Sequence, residues 1–461
     1  MKKLLLFGVL AAVVLTAGTI DLNNLDSYAN QTVPTYIRRD NTPANNHITN
    51  IGATLGRVLF YDKNLSANST IACASCHHQE FAFGDTAQLS LGFMGGRTGR
   101  HSMRLVNARF CEEVNFFWDE RVTSLEDQTT HPIQDATEMG FSGTNGQPDL
   151  DSLIRKLEAI PYYTDLFTAV YGDATITEDR IQKALGQFIR SIQSFDSKFD
   201  IGLAAANGNL NVNFTNFTTA ENAGKALFLA PPPQGGAGCQ GCHRAPEFDI
   251  DPATRNNGVI AVAGSATLTD LTNTRAPSLR NLRNPSGVLN GPLMHNGNFN
   301  TLDGVVAHYN LVPQNANNTN LDQRVTGAGG SLGFTQGQRN NVVAFLGTLT
   351  GSDVYTNPKW SSPFDSLGNI TVVPLTVGTV REVAALDIQL FPNPVTDYLR
   401  LNLPAEPFQV AIFTANGQML MQKEVSGSHY ENMENFPAGT YIVQVRQVST
   451  GQSVSKKIVK F

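Results

Sequence analysis

The sequence predicts a mainly α chain, built on two related helical modules and closed by a small all-β sandwich. Three observations carry this. The pentapeptide Cys-X-X-Cys-His occurs twice, at Cys73–His77 and Cys239–His243. Each copy follows a stretch with apolar residues at helical spacing, Leu55-Gly-Arg-Val-Leu-Phe-Tyr61 and Ala223-Gly-Lys-Ala-Leu-Phe228. From Leu386 onward the apolar residues recur instead at every second position, with turn signals between the runs.

The chain opens with Lys2 and Lys3, then an apolar run from Leu4 to Ala17. That run suits a secretory signal over residues 1–18, with small residues at Ala17 and Gly18 for cleavage and Ala29 as an alternative. No Cys follows it to carry a lipid anchor, and no later stretch is long and apolar enough for a stable membrane span. Charged residues make up 16% of the chain and the net charge is −6, which speaks against a nucleic-acid partner.

The first module is expected over residues 30–200. Cys-X-X-Cys-His reads as a c-type haem attachment site. Cys73 and Cys76 would add to the haem vinyl groups, and His77 would bind the iron from one face. A thioredoxin-like pair or half a zinc site explains neither following His. Downstream, a helix is expected from Leu150 to Ile160, with Leu153, Ile154 and Leu157 inward and Pro161 ending it. Thr177-Glu-Asp caps another, whose apolar face is Ile181, Leu185, Phe188, Ile189 and Ile192. The stretch between the two haem motifs thus reads as mostly helical.

The second module, residues 201–350, repeats the attachment chemistry with Cys239, Cys242 and His243. Four of the five Cys are then used, and Cys111 reads as a small buried side chain. Residues 351–384 lack helical periodicity and read as a linker. Residues 385–461 are expected to form the sandwich: Tyr398, Leu399, Leu401 and Leu403, then Val410, Ile412 and Phe413, then Tyr441, Val443 and Val445 follow a period of two, with Asn416-Gly417 and Pro437-Ala-Gly439 as turns.

This tail resembles the C-terminal sorting domain of type IX secretion substrates, through Phe391-Pro-Asn-Pro394, Pro437-Ala-Gly-Thr-Tyr441 and Lys456-Lys-Ile-Val-Lys460. The resemblance implies passage through the periplasm, a cell-surface or secreted destination and the type IX machinery as a partner.

From Gly52 to Leu349 the chain resembles the bacterial di-haem cytochrome c peroxidases, which include MauG-type enzymes. The matching residues are Leu55–Ser66, Phe116-Phe-Trp-Asp-Glu-Arg121, Ser124–Gln128, Glu138-Met-Gly140, Thr274–Asn281, Met294-His-Asn-Gly297 and Thr301–Asn310. The resemblance implies two cytochrome c-like domains with two covalent haem c groups, the first peroxidatic and the second for electron transfer. It places the catalytic carboxylate at Glu138, its amide partner at Gln128 and an inter-haem relay at Trp118. Read alone, these three would be a helix-end Glu, a surface Gln and a core Trp. The distal His of reductively activated members would fall near Phe93, which cannot bind iron. His101 stands where the family often has a calcium-binding Asn, and imidazole suits that hard cation poorly. Calcium is therefore a cofactor that His101 speaks against, and a distal role for His101 stays open. Tyr309 falls where MauG-type members have a Tyr ligand to the second iron; Met294 is the rival, followed by His308 and His295.

The leading expectation is an oxidoreductase that reduces hydrogen peroxide to water, with a donor protein or small reductant supplying electrons. MauG-like oxidation of a partner protein is the second. A non-catalytic extracellular electron carrier, with both irons six-coordinate, is the third.

Overall fold

The computed structural model describes residues 18–111, 115–250, 254–325, 331–375, 388–415, 418–449 and 453–461. The expected signal, apart from Gly18, and the Asn416-Gly417 turn lie outside them. The chain divides into two units between Leu375 and Thr376.

In chain order the first unit carries β1 (Gly18–Asp21), α1 (Asn50–Tyr61), α2 (Leu125–Gln134), α3 (Leu150–Glu158), α4 (Pro161–Tyr171), α5 (Glu178–Ser191), α6 (Lys198–Ala205), α7 (Thr219–Leu229), β2 (His243–Arg244), β3 (Asp249–Ile250), α8 (Leu302–Asn310), α9 (Gln336–Gly347) and β4 (Ile370–Val373). The helices start where the sequence offers caps. Thr49, Ser124, Thr177 and Thr218 each accept a backbone N–H with the side-chain oxygen.

The two stretches that precede the Cys pairs are α1 and α7, and they are built alike. α1 packs on α5 and α7 packs on α9. At each crossing a glycine lets the backbones touch. A Cβ on Gly56 would lie 2.0 Å from the Ala184 carbonyl oxygen, and one on Gly224 would lie 1.8 Å from that of Asn341. One turn further on, Phe60 and Phe228 are fully buried. Each helix pair founds its own apolar cluster. The first gathers Leu55, Val58, Leu59 and Phe60 with Ile181, Leu185 and Phe188. The second is dominated by phenylalanines, with Phe345 touching Phe199, Phe217, Phe228 and Phe248 at ring separations of 5.2–6.4 Å.

Three expectations change. Pro161 does not merely end α3; it occupies the first turn of α4, where its missing N–H costs nothing. Among its described residues, the stretch from His77 to Ser124 is irregular backbone with short single turns rather than helix. Gly84, Gly92, Gly95, Gly96 and Gly99 crowd it, and at Gly92 the chain lies so close to the Thr137 carbonyl that a Cβ would sit 1.8 Å away. The first part of the expected linker, residues 351–375, is built into the first unit. Trp360 is 1% exposed in the first cluster, its indole donates to the Ser191 hydroxyl, and β4 pairs in parallel with β1. Apolar burial without helical period hid this segment from sequence reading.

A buried ion pair ties α6 to the chain beyond β3. Arg280 and Asp200 are both almost wholly buried and bond through two nitrogens and two oxygens, at 2.8 and 2.9 Å. Asp200 also accepts from the Ser197 backbone and from Tyr36.

The second unit has two sheets, ordered β11-β10-β7-β8 and β5-β6-β9. These strands are β5 (Gln389–Phe391), β6 (Tyr398–Asn402), β7 (Pro407–Thr414), β8 (Met419–Ser426), β9 (His429–Asn432), β10 (Gly439–Gln447) and β11 (Ser453–Lys460). Leu399 and Leu401 of one sheet share a core with Val410, Ile412, Val443 and Val445 of the other, as the period-two pattern requires.

Removing one partner of the Asp200–Arg280 pair strands a buried charge. Asp200→Ala is expected to destabilise the first unit by about 3–5 kcal/mol in denaturant unfolding.

Candidate haem centres

A single helical turn, Cys73–Ser75, presents the first Cys pair, and the His77 N–H closes it on the Cys73 carbonyl at 3.0 Å. The chain then doubles back through Ala82 and Phe83, both in the left-handed region at φ +55° and +58°. This turn brings the Phe83 carbonyl to 3.1 Å from His77 Nδ1, which donates to it. The other ring nitrogen is thereby fixed as the unprotonated one, the state a metal ligand needs. Burial holds the His77 pKa down to about 4, so the ring is neutral at physiological pH. Burial pushes the Cys73 thiol up to about 12 and Cys76 up to about 11. Redox-active pairs show the opposite shift.

His77 and both thiols line a cavity of about 610 Å³. Gln128, Glu138 and Trp118 line the same cavity. α2 is what assembles them. Gln128 sits in its first half, and its C-terminal cap residue Asp135 accepts from the Glu138 N–H at 2.9 Å. Burial raises the Glu138 carboxyl to about 7, helped by Asp135 and opposed by Arg121. A carboxyl poised there can hold or release a proton near neutrality.

The second motif repeats the turn at Cys239–Gly241, and β2 and β3 form a two-residue ladder that pairs His243 with Ile250. Burial again lowers the His243 pKa to about 4, against a smaller upward pull from the Pro277 carbonyl. Cys239, Cys242 and His243 line a narrower cavity of about 170 Å³. Tyr309, on α8, and Met294 line it too. The Asn257 amide contacts both rivals, 3.3 Å from Tyr309 Oη and 3.7 Å from Met294 Sδ. His308 bonds the Asn257 carbonyl at 3.0 Å, and neither it nor His295 lines this cavity.

The two cavities share one wall. It comprises residues 101–104, Trp118, Arg275 and Pro277. Trp118 is 9% exposed; its indole N–H donates to the His101 carbonyl at 2.7 Å, and its own carbonyl accepts from the Arg275 N–H at 2.7 Å. His101 Nδ1 donates to the Ala87 carbonyl at 3.0 Å. Phe93 lines neither cavity; its N–H donates to the Glu138 carbonyl, and its ring packs where a Gly140 side chain would be. Cys111 is buried, with Asn41 donating to its sulfur.

Sequence reading missed Arg104 and Asn257. Neither lies in a recognisable motif, and their positions depend on contacts across 20 to 50 residues of chain.

Residues 51–207 match the family described as di-haem cytochrome c peroxidase, and residues 389–460 match the secretion system C-terminal sorting domain. Residues 51–207 thus carry a di-haem cytochrome c peroxidase domain, the family that the chain's listed relatives also resemble. It is 29% identical to the methylamine utilization protein MauG of Methylophilus methylotrophus, over 68% of this chain and 87% of that protein. It is 27% identical to cytochrome c551 peroxidase of Nitrosomonas europaea, over 65% of this chain and 80% of that one. A crystal structure of a MauG-like protein associated with microbial copper homeostasis superposes with a TM-score of 0.60 at 28% identity, covering 72% of this chain and 99% of that one. The di-haem peroxidase BthA of Burkholderia thailandensis shares the fold, with a TM-score of 0.52 at 20% identity over 76% of this chain and 96% of its own.

The chain is an oxidoreductase of the class that acts on peroxide, and the matched domain implies haem c. The residues present fit that group. Each centre offers two thiols, a buried neutral imidazole and a largely apolar cavity, and the first has the volume usual for a bound organic ligand. No helix among the described residues is long and apolar enough to cross a membrane.

The elevated Glu138 carboxyl has a direct signature. Its protonated C=O infrared band is expected at pH 6, to vanish with a midpoint about 7, and to be absent from Glu138→Gln.

Proposed function

We propose that this di-haem peroxidase family member is an exported enzyme that reduces hydrogen peroxide to water with two electrons from a donor protein or small reductant. The supporting observation is the first cavity, where Cys73, Cys76 and His77 face Gln128, Glu138 and Trp118 together. Cys73, Cys76 and His77 would hold a haem there, and that group would supply the redox chemistry toward peroxide.

The chain's own residues handle the protons. Ionised Glu138 takes a proton from the near oxygen of peroxide and returns it to the far one, so that water leaves when the O–O bond breaks. The Gln128 amide can donate to a peroxide oxygen and fix its orientation in the same space. Two electrons and two further protons complete the conversion to two waters. Trp118, in the shared wall, is the side chain we assign to electron passage between the centres. Cys239, Cys242 and His243 would hold the second haem, and we assign Tyr309 as its further ligand with Met294 as the rival. A hard phenolate oxygen there would lower the potential relative to a Met sulfur.

Tyr309 favours a second reading, MauG-like oxidation of a partner protein driven by peroxide. A carrier without catalysis is the reading of another class. The tail supports export by the type IX route to the cell surface or beyond.

Glu138→Gln is expected to keep both haems and lose about 10²–10⁴-fold in peroxide turnover. The wild-type rate should rise with pH through about 7, because the base form appears as the raised carboxyl ionises, and the variant should lose that limb. An equally active variant would refute the role. In the ferric protein, Tyr309→Phe should change the spectrum of the second haem while Met294→Leu leaves it unaltered; the reverse result would assign Met294.

A further inference from the structure

Arg104 is a half-buried cation with no carboxylate partner among the described residues, and its Nε is buried. Its stem packs against the loop that orients His77, and Gly84 makes room for it: a Cβ there would lie 2.8 Å from Arg104 Cγ. Arg104 lines both cavities, so it stands in the wall between the two centres. Its Nε has no hydrogen-bond partner, and its Nη2 makes a long 3.4 Å contact to the Ser278 carbonyl. Among the described residues no carboxylate pairs with it. Of the other arginines near this wall, Arg100 is held by Asp119 and Asp270, Arg121 by Asp119, and Arg275 donates to the Asn115 carbonyl. Burial alone drags the Arg104 pKa down to about 10.

A guanidinium held away from water without a partner is costly, so an anion arriving beside it is favoured. A guanidinium fork is matched to a carboxylate by two parallel N–H···O bonds. Haem c carries two carboxylate side chains on the macrocycle edge away from the vinyl groups that the thiols capture. We propose that Arg104 binds haem carboxylates at the wall between the two cavities, clamping the haem edge and setting the charge that both irons feel. This rests on the reading that the cavities hold haem c. Arg104 is a positioning residue in that role, since it touches neither peroxide nor iron.

The consequence is electrical. A cation beside a haem disfavours the ferric state, and an unneutralised carboxylate favours it. Removing Arg104 does both things in the same direction, so the reduction potential must fall.

The test uses purified holoprotein of wild type, Arg104→Met, Arg104→Gln and Arg104→Lys. Haem content comes first, by pyridine haemochrome: a wild type with fewer than two covalent haems per chain would overturn the cofactor reading rather than this one. With two haems in place, spectroelectrochemical titration should show at least one midpoint moved to lower potential in Arg104→Met and Arg104→Gln. Arg104→Lys, which keeps the charge, should restore most of the shift. The resonance Raman band for carboxylate bending of the same haem should move in Met and Gln variants. Should Arg104→Met fail to accumulate, the Gln and Lys pair carries the comparison. Midpoints and bending bands equal to wild type in the Gln variant would overturn the proposal.

Discussion

The close crossing of two helices at a glycine is the constraint on which both centres depend. Gly56 on α1 meets Ala184 of α5, and Gly224 on α7 meets Asn341 of α9. Contact at the backbone fixes the rotation of α1 and α7 about their axes. It therefore fixes where Phe60 and Phe228 enter the core, and where the chain emerges toward Cys73 and Cys239. A larger residue at either glycine would separate the helices and carry the thiols with them. That the same device appears twice, at equivalent points before the same pentapeptide, supports descent of both halves from one module.

The repeat ends at the attachment sites. After His77 the chain makes a tight turn whose carbonyl holds the imidazole; after His243 it makes a two-residue ladder. The first centre borrows α2, which brings in an amide and a carboxyl, while the second borrows α8 and meets a phenol and a thioether. One scaffold thus offers two different environments, because the side chains opposite each His come from elements outside the duplicated core. The shared wall is where the two environments communicate.

Much of this was legible in the sequence, for physical reasons. The attachment motifs are local, so spacing alone defines them. The apolar face of α5 and its Thr177 cap follow from helical period and end chemistry, and all five face residues are buried. The alternation in β6, β7 and β10 is likewise local. What escaped was non-local. Residues 351–375 look like linker until Trp360 is seen filling the first core. The 77–124 stretch reads as helix only if its glycines are ignored. Gln128 and Glu138 were picked out by resemblance, and their meeting in one cavity depends on how α2 packs against α5. Arg104 has no local signature, since what marks it is the missing partner.

The parallel pairing of β1 with β4 joins Gly18–Asp21 to Ile370–Val373, at opposite ends of the first unit. The first unit is thereby a closed loop of chain, latched by strands from near its two ends. Both strands of the latch belong to the first unit alone, so the pairing that closes it takes nothing from the sorting tail.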